Sequence, residues 1–484
     1  MTQRADIGAI PVPDGLVVVV KDDCPTCHLV LPALGQILDG PGLTVITQDS
    51  DSWPAGFAAI HDDTLELSWH LQTDTTPTLY RIDGGNVSAF AVGWHRERWE
   101  EVSGVTGLAP DLPEQRPGCG SKIFEPGTHE QLVRRHSKSR LASRTIELGS
   151  AEDEFEAMYA RGWSDGLPLI PPTPQRVEAM LAGTARPPGE VVAVMPPDLV
   201  DCTVEKVAIN AVMAGCRPEY LPVVLAAVEA AATDRFNIHG VAATTFHVGP
   251  VVVVNGPIRN RIGMNGGMNA LGPGNRANAT IGRALNLVVR NVGGSRPGGV
   301  DRATLGSPAK LSFCFPELEE GSPWESLAIE RGFGPEQDTV TLFAGHGPHE
   351  VVDQLSREPA SLARSFAVQL RTVWSPKLAL RNDALVVVAP DHARTFAAAG
   401  WTKARLRDEI QEMLTVPGEE LLRGMGGIAE GMPDSFIDRS VPKFRDGGLW
   451  FVHAGGAAGM FSGIIGGWSS GPGGSEMTTV PIIP

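Results

Sequence analysis

Five consecutive apolar residues, Leu16 to Val20, stop abruptly at Lys21-Asp22-Asp23, and a helical periodicity follows over 28–38. An apolar run of that length without alternation reads as a strand buried on both faces. Residues 42–47 repeat the strand signal, 63–70 read as a short helix, and 75–82 read as a strand with Pro77 near its start. Gly84-Gly85 turns that strand into a second one over 87–92, and a helix over 95–102 closes the pattern. Further along, residues 151–161 read as a helix capped by Ser150, with acids in its first turn. Residues 203–214 and 219–232 read as two helices separated at Gly215 and Pro218. Four β-rich runs then appear at 251–254, 340–343, 385–389 and 449–452, each ending on glycine or polar residues. Helices over 278–291 and 402–414 lie among them. This alternation predicts an α/β protein whose larger part has a mostly parallel or mixed sheet.

A chain of 484 residues exceeds one ordinary core. The pattern divides it into a first domain over 1–108, a linker and cysteine-bearing loop over 109–150, and a second domain over 151–484. A content of 56 glycines and 39 prolines adds many shaped loops. The net charge of −16 argues against nucleic acid or an anionic membrane surface as partner. No apolar run reaches membrane-spanning length, and residues 1–8 lack a charged-then-apolar leader pattern, so a cytoplasmic location is expected. The basic run 134–140 reads as a solvated face.

Chemistry concentrates first at Cys24-Pro25-Thr26-Cys27, where the first strand meets the first helix. A cysteine at a helix start is surrounded by unpaired N–H groups that favour its thiolate, and Cys27 lies one turn on, placed to attack a mixed disulfide made through Cys24. A zinc half-site would need a second ligand pair, and the other four cysteines are scattered singly. With Thr76-Pro77 about fifty residues on and the hairpin after it, residues 14–104 closely resemble the thioredoxin fold. That resemblance implies a cis-proline at Pro77 beside the cysteines and a redox-active disulfide between Cys24 and Cys27.

Residues 116–484 resemble bacterial proteins of the UGSC type, called after a selenocysteine-Gly-Ser-Cys motif. The resemblance rests on Arg116-Pro117-Gly118-Cys119-Gly120-Ser121, Trp163-Ser164-Asp165-Gly166-Leu167-Pro168, the segment Asn210 to Cys216, and the segment Arg276 to Arg283. Cys119 stands where that group can carry selenocysteine, and Lys122 stands where its motif has the partner cysteine. A local disulfide within the motif is therefore impossible here, and another thiol must resolve Cys119. Flanking glycines allow close approach at Cys119, and the ammonium of Lys122 favours a thiolate. Cys202, Cys216 and Cys314 read as small buried hydrophobes.

Candidate ligand contacts in the second domain are Asp165, Asn255, Arg259, Arg276, Asn278, His346, His392 and His453. Glycines, arginines and asparagines ahead of the helix at 278 suit a small anion, and no nucleotide fingerprint accompanies them. The histidines follow predicted strand ends, where α/β sheets gather their ligands. His346 and His349 are the weaker candidates for a metal. The expected activity is a thiol-dependent oxidoreductase acting on a small, anionic molecule, with Cys24 and Cys27 resolving Cys119. Its expected electron source is a thioredoxin reductase or a low-molecular-weight thiol. The alternative is a lyase or hydrolase cleaving a carbon–heteroatom bond in the second domain, with or without a metal.

Overall fold

The computed structural model describes residues 12–49, 53–125, 128–129, 132, 141–144, 146, 148, 153–471 and 473–483. The basic run at 134–140, residues 1–8 and Ser150 lie outside these. The chain divides into two compact units, Met1–Ile146 and Glu147–Pro484. Each is a mixture of helices and sheet.

In the first unit, strands β1 (Gly15–Val20), β2 (Thr44–Thr47), β3 (Ala59–His61), β5 (Thr78–Asp83) and β6 (Asn86–Val92) form one sheet in the order β3-β2-β1-β5-β6. β1 runs parallel to β2 and antiparallel to β5, and β5 and β6 form the expected hairpin. The apolar run 16–20 serves both faces. Leu16, Val18 and Val20 pack against helices α1 (Pro25–Leu29), α2 (Leu31–Asp39) and α4 (Arg96–Ser103), through Cys27, Leu34, Ile37 and Trp99. Val17 and Val19 face the other way, against Leu71 and Tyr80. The short helix α3 is Glu66–His70.

The expected linker is part of this unit. Leu108 and Ala109 are buried, the Trp94 indole N–H donates to the Pro113 carbonyl at 2.6 Å, and Arg96 donates to the carbonyls of Ala109, Pro110 and Leu112. A guanidinium satisfying several carbonyls fixes a segment that proline content alone would leave extended. Its continuation forms two-residue strands. β7 (Trp94–His95) pairs with β8 (Gln115–Arg116), and β4 (Thr75–Thr76) pairs with β9 (Cys119–Gly120), both antiparallel.

The second unit begins with the helix Glu154–Ala160, capped by Asp153, whose side chain accepts from the N–H groups of Phe155 and Glu156. A hairpin follows, β10 (Val191–Met195) with β11 (Val200–Thr203). The main sheet is mixed, as the sequence pattern allows. Its strands are β12 (Gly249–Asn255), β13 (Cys314–Pro316), β14 (Thr339–Gly345), β16 (Asn382–Val388), β19 (Leu449–His453) and β20 (Phe461–Ser469), in the order β13-β12-β14-β20-β16-β19. β15 (His349–Val352) pairs with β20, β21 (Thr478–Pro481) pairs with β14, and β17 (Val416–Pro417) pairs with β18 (Ser440–Val441) apart from the sheet. The Leu318 N–H donates to the His453 carbonyl at 2.7 Å, joining the ends of the two outermost strands. The sheet therefore curls, and one apolar cluster collects Val253, Phe315, Phe343, Val387, Val452 and Ile465 from all six strands. The opposite side of β16 and β19 packs on the helices Pro359–Leu370, Pro390–Ala398 and Lys403–Met413. Among the described residues no helix is long and apolar enough to cross a membrane.

Candidate active site

Cys24 caps α1. Its sulfur accepts from the Cys27 N–H at 3.4 Å and lies 3.4 Å from the Thr76 carbonyl oxygen. The Thr76–Pro77 peptide bond is cis. Both thiols of the pair are fully buried. Geometry separates their chemistry. The Cys27 thiol donates to Cys24 and is the main cause holding Cys24 far below an ordinary thiol, down to about 4. Burial opposes this, while the Cys119 thiol and the N–H groups of Cys27 and Thr26 add to it. Burial, and then the neighbouring Cys24 thiolate, push Cys27 far up. Cys24 is thus favoured as the thiolate, and Cys27 is held protonated.

The third thiol is Cys119. The β4–β9 pairing sets Cys119 opposite Thr76 and brings its side chain into hydrogen-bonding contact with Cys24. Cys119 is the only partly exposed cysteine, and all six cysteines are free thiols. Burial and the Cys24 thiolate raise it, and Lys21 opposes the rise.

Lys122 is not the cation at this centre. Its ammonium pairs with Asp49 at 3.4 Å, and its backbone N–H donates to Gln48. The residue that the sequence reading passed over is Lys21, nine-tenths buried and paired with Asp23 at 2.9 Å. Burial pulls its pKa down, yet Asp23, Cys119 and Cys24 raise it on balance. The available signal was its position, immediately after the buried strand and three residues before Cys24.

The other sequence candidates lie in the second unit, where most of them hold the fold. Asp165 is clamped by Arg283 through bonds of 2.7 and 2.8 Å. Arg259, expected to meet an anion, is already neutralised by Glu319 at 3.1 Å and Glu320 at 2.6 Å. Asn278 is spent on backbone, joining Asn265 and Ala270, and Arg276 is exposed with its Nε on the Gly215 carbonyl. His392 is fully buried between Ser462 and the Asp353 carbonyl. The His346 and His349 rings stack 5.8 Å apart at 20°. Among the described residues no group of three or more His, Cys, Asp or Glu side chains could hold a metal ion. Burial lowers both histidines.

Asn255 and His453 do come together, around a buried acid that the sequence analysis does not single out. Glu317 is fully buried and accepts from Asn255 at 2.8 Å and from the Leu327 N–H at 2.7 Å. Lys403 lies 3.6 Å from it and 3.7 Å from Glu330. His453 gives Nδ1 to the Leu318 carbonyl, while its Nε2 is buried without a partner. Cys202 and Cys216 are pushed up to about 12 by burial, and Cys314 is pushed up as well, as inert core thiols are.

Comparison with protein-family models, with curated proteins and with solved structures finds no match to this chain.

Proposed function

We propose that the protein is a thiol-dependent oxidoreductase whose first unit is thioredoxin-like and whose working centre is the triad Cys24, Cys27 and Cys119. One observation carries this reading: the buried, low-pKa Cys24 contacts the partly exposed Cys119 through the β4–β9 pairing. An oxidised Cys119, disulfide-bonded to a small thiol, is attacked at its sulfur by the Cys24 thiolate. The Cys24–Cys119 disulfide forms and the small thiolate leaves. Cys27 then attacks Cys24, its proton passes to the departing Cys119 sulfur, and a Cys24–Cys27 disulfide remains for an external dithiol to reduce. Departure of Cys119 is helped at that stage. Once Cys24 is bonded, the like charge that raised Cys119 is gone, and Lys21 still favours its thiolate.

The test is a Cys27→Ser full-length chain, reduced and then given a small disulfide in single turnover. A Cys24–Cys119 disulfide should accumulate and be found by peptide mapping. If Cys24 pairs only with the external thiol, and Cys119→Ala keeps full activity, the triad reading fails. A lyase or hydrolase in the second unit is the second reading, favoured by the buried Glu317, Lys403 and His453 group. It predicts turnover that Cys24→Ser leaves intact.

A further inference from the structure

Cys24 is chemically poised and physically covered. What covers it is the chain itself, over residues 114–122. Reading along that segment, the Glu114 carbonyl accepts from the Arg96 N–H, and β8 pairs with β7. The Thr26 hydroxyl, between the two cysteines, donates to the Pro117 carbonyl at 2.7 Å. β9 pairs with β4. The Ser121 N–H donates to the Asp74 carbonyl, and its hydroxyl accepts from Gln48 at 2.8 Å. The segment is fastened on both sides of Cys119, and it occupies the strand edge of Thr75 and Thr76 next to the thiols. An extended polypeptide docks on a sheet partner through such an edge. Here the edge is already filled.

The fastening depends on one position. A Cβ at Gly118 would lie 2.4 Å from Thr75 Cγ2 and 2.5 Å from the Thr76 carbonyl oxygen. Both are far inside contact distance, and the second is backbone that cannot step aside. Gly93, across the segment, is also tight, with an added Cβ 3.0 Å from the Gly118 nitrogen. Only glycine at 118 lets the segment lie flat on Thr75–Thr76.

We propose that residues 115–121 are a strap that reserves Cys24 for Cys119, and that Gly118 is the residue setting this specificity. Polypeptide disulfides are excluded, while small disulfides reach the centre through Cys119. This rests on the triad reading and names its substrate class. With a small disulfide RSSR, the Cys119 sulfur attacks and expels RS⁻, which leaves as RSH with the proton Cys119 gave up. Cys24 attacks Cys119 and expels the second RS⁻, and Cys27 closes the Cys24–Cys27 disulfide. RSSR is reduced to two thiols and the pair is oxidised.

The experiment uses the reduced full-length chain in single turnover, with bis(2-hydroxyethyl) disulfide and insulin as oxidants, and follows the Cys24–Cys27 disulfide by alkylation and mass. The wild type should be oxidised by the small disulfide and hardly by insulin. Gly118→Val should raise the insulin rate by about tenfold or more, a gain equivalent to freeing about 1.4 kcal/mol of pairing. That gain should survive Cys119→Ser, since insulin then meets Cys24 directly. A wild type oxidised equally fast by both, or a folded Gly118→Val with no gain, overturns the strap. If Gly118→Val does not fold, labelling decides. In Cys27→Ser/Cys119→Ser, iodoacetamide should label Cys24 and a long polyethylene-glycol maleimide should not, and equal labelling by both overturns the proposal. The two ideas fail separately. A trapped Cys24–Cys119 disulfide with insulin freely admitted removes the strap alone, whereas insulin exclusion without that disulfide removes the triad reading.

Discussion

Removing the Cys27 thiol should change how Cys24 titrates, and the structure sets the size of the change. Cys24 is held at about 4 against an ordinary 9.0, and the first cause is the Cys27 thiol donating to its sulfur. A hydrogen bond to a charged group contributes about 1.5–3 kcal/mol, and one pKa unit is about 1.4 kcal/mol, so Cys27→Ala should raise Cys24 by about one to two units. Cys27→Ser keeps a donor at the same place and should restore most of the shift. The assay is the pH dependence of iodoacetamide labelling at Cys24, read by mass, in each full-length variant. In the wild type the labelling rate should stay nearly level from neutral pH downward and fall only near the low inflection. The same shift makes the reduced fold pH-dependent. A thiol depressed by folding stabilises the fold in full above its unfolded value, and that stabilisation is lost progressively as pH falls toward the folded value. The reduced first unit should therefore gain stability between about pH 5 and pH 8, a gain absent from Cys24→Ala. A wild-type inflection at an ordinary thiol value, or one that Cys27→Ala leaves unmoved, would refute the reasoning.

Lys21→Met should move the Cys119 labelling inflection upward and slow release of Cys119 from the mixed disulfide, with Lys21→Arg restoring both; an unchanged Cys119 profile excludes Lys21 as the positioning cation. Asn278→Ala should cost the second unit about 2–3 kcal/mol in urea unfolding, since it strips buried backbone partners from the loop at 265–270. Lys403→Met should cost about 3–5 kcal/mol by leaving Glu317 buried without its counter-charge, and adding Glu317→Gln should recover part of that loss in the same assay.

The first unit was legible where information is local. The apolar run 16–20, the Gly84-Gly85 hairpin and the Cys24/Cys27 spacing are each written within a few residues, and each element stands where the pattern put it. Residues 109–115 were misread for a physical reason. Proline-rich stretches resemble linkers because they carry few backbone donors, yet their carbonyls remain strong acceptors. Arg96 and Trp94 use those carbonyls to pack the segment down. The second unit was legible as strand and helix, but its site was not. Arg259 and Asn278 looked free for a ligand because sequence shows a side chain's chemistry and hides its partners. Glu319, Glu320, Asn265 and Ala270 claim them from as far as sixty-one residues away. Glu317 carries no local signal of its own, yet it follows β13 directly and is drawn inside.

The lysine at residue 122 takes its role from the fold. With lysine there, Cys119 has no second thiol close by in sequence. The β4–β9 pairing brings Cys24 beside it, because it sets Cys119 opposite Thr76, whose carbonyl also lies against Cys24. Lys122 is then free to do something else, and it ties the far end of the strap to Asp49. Lys122 thus anchors the segment that carries Cys119. On this reasoning, restoring a cysteine with Lys122→Cys should loosen the strap while offering Cys119 a competing neighbour. Trapping of Cys24–Cys119 in a Cys27→Ser background should then decline, and undiminished trapping would mean that the strap needs no anchor at residue 122.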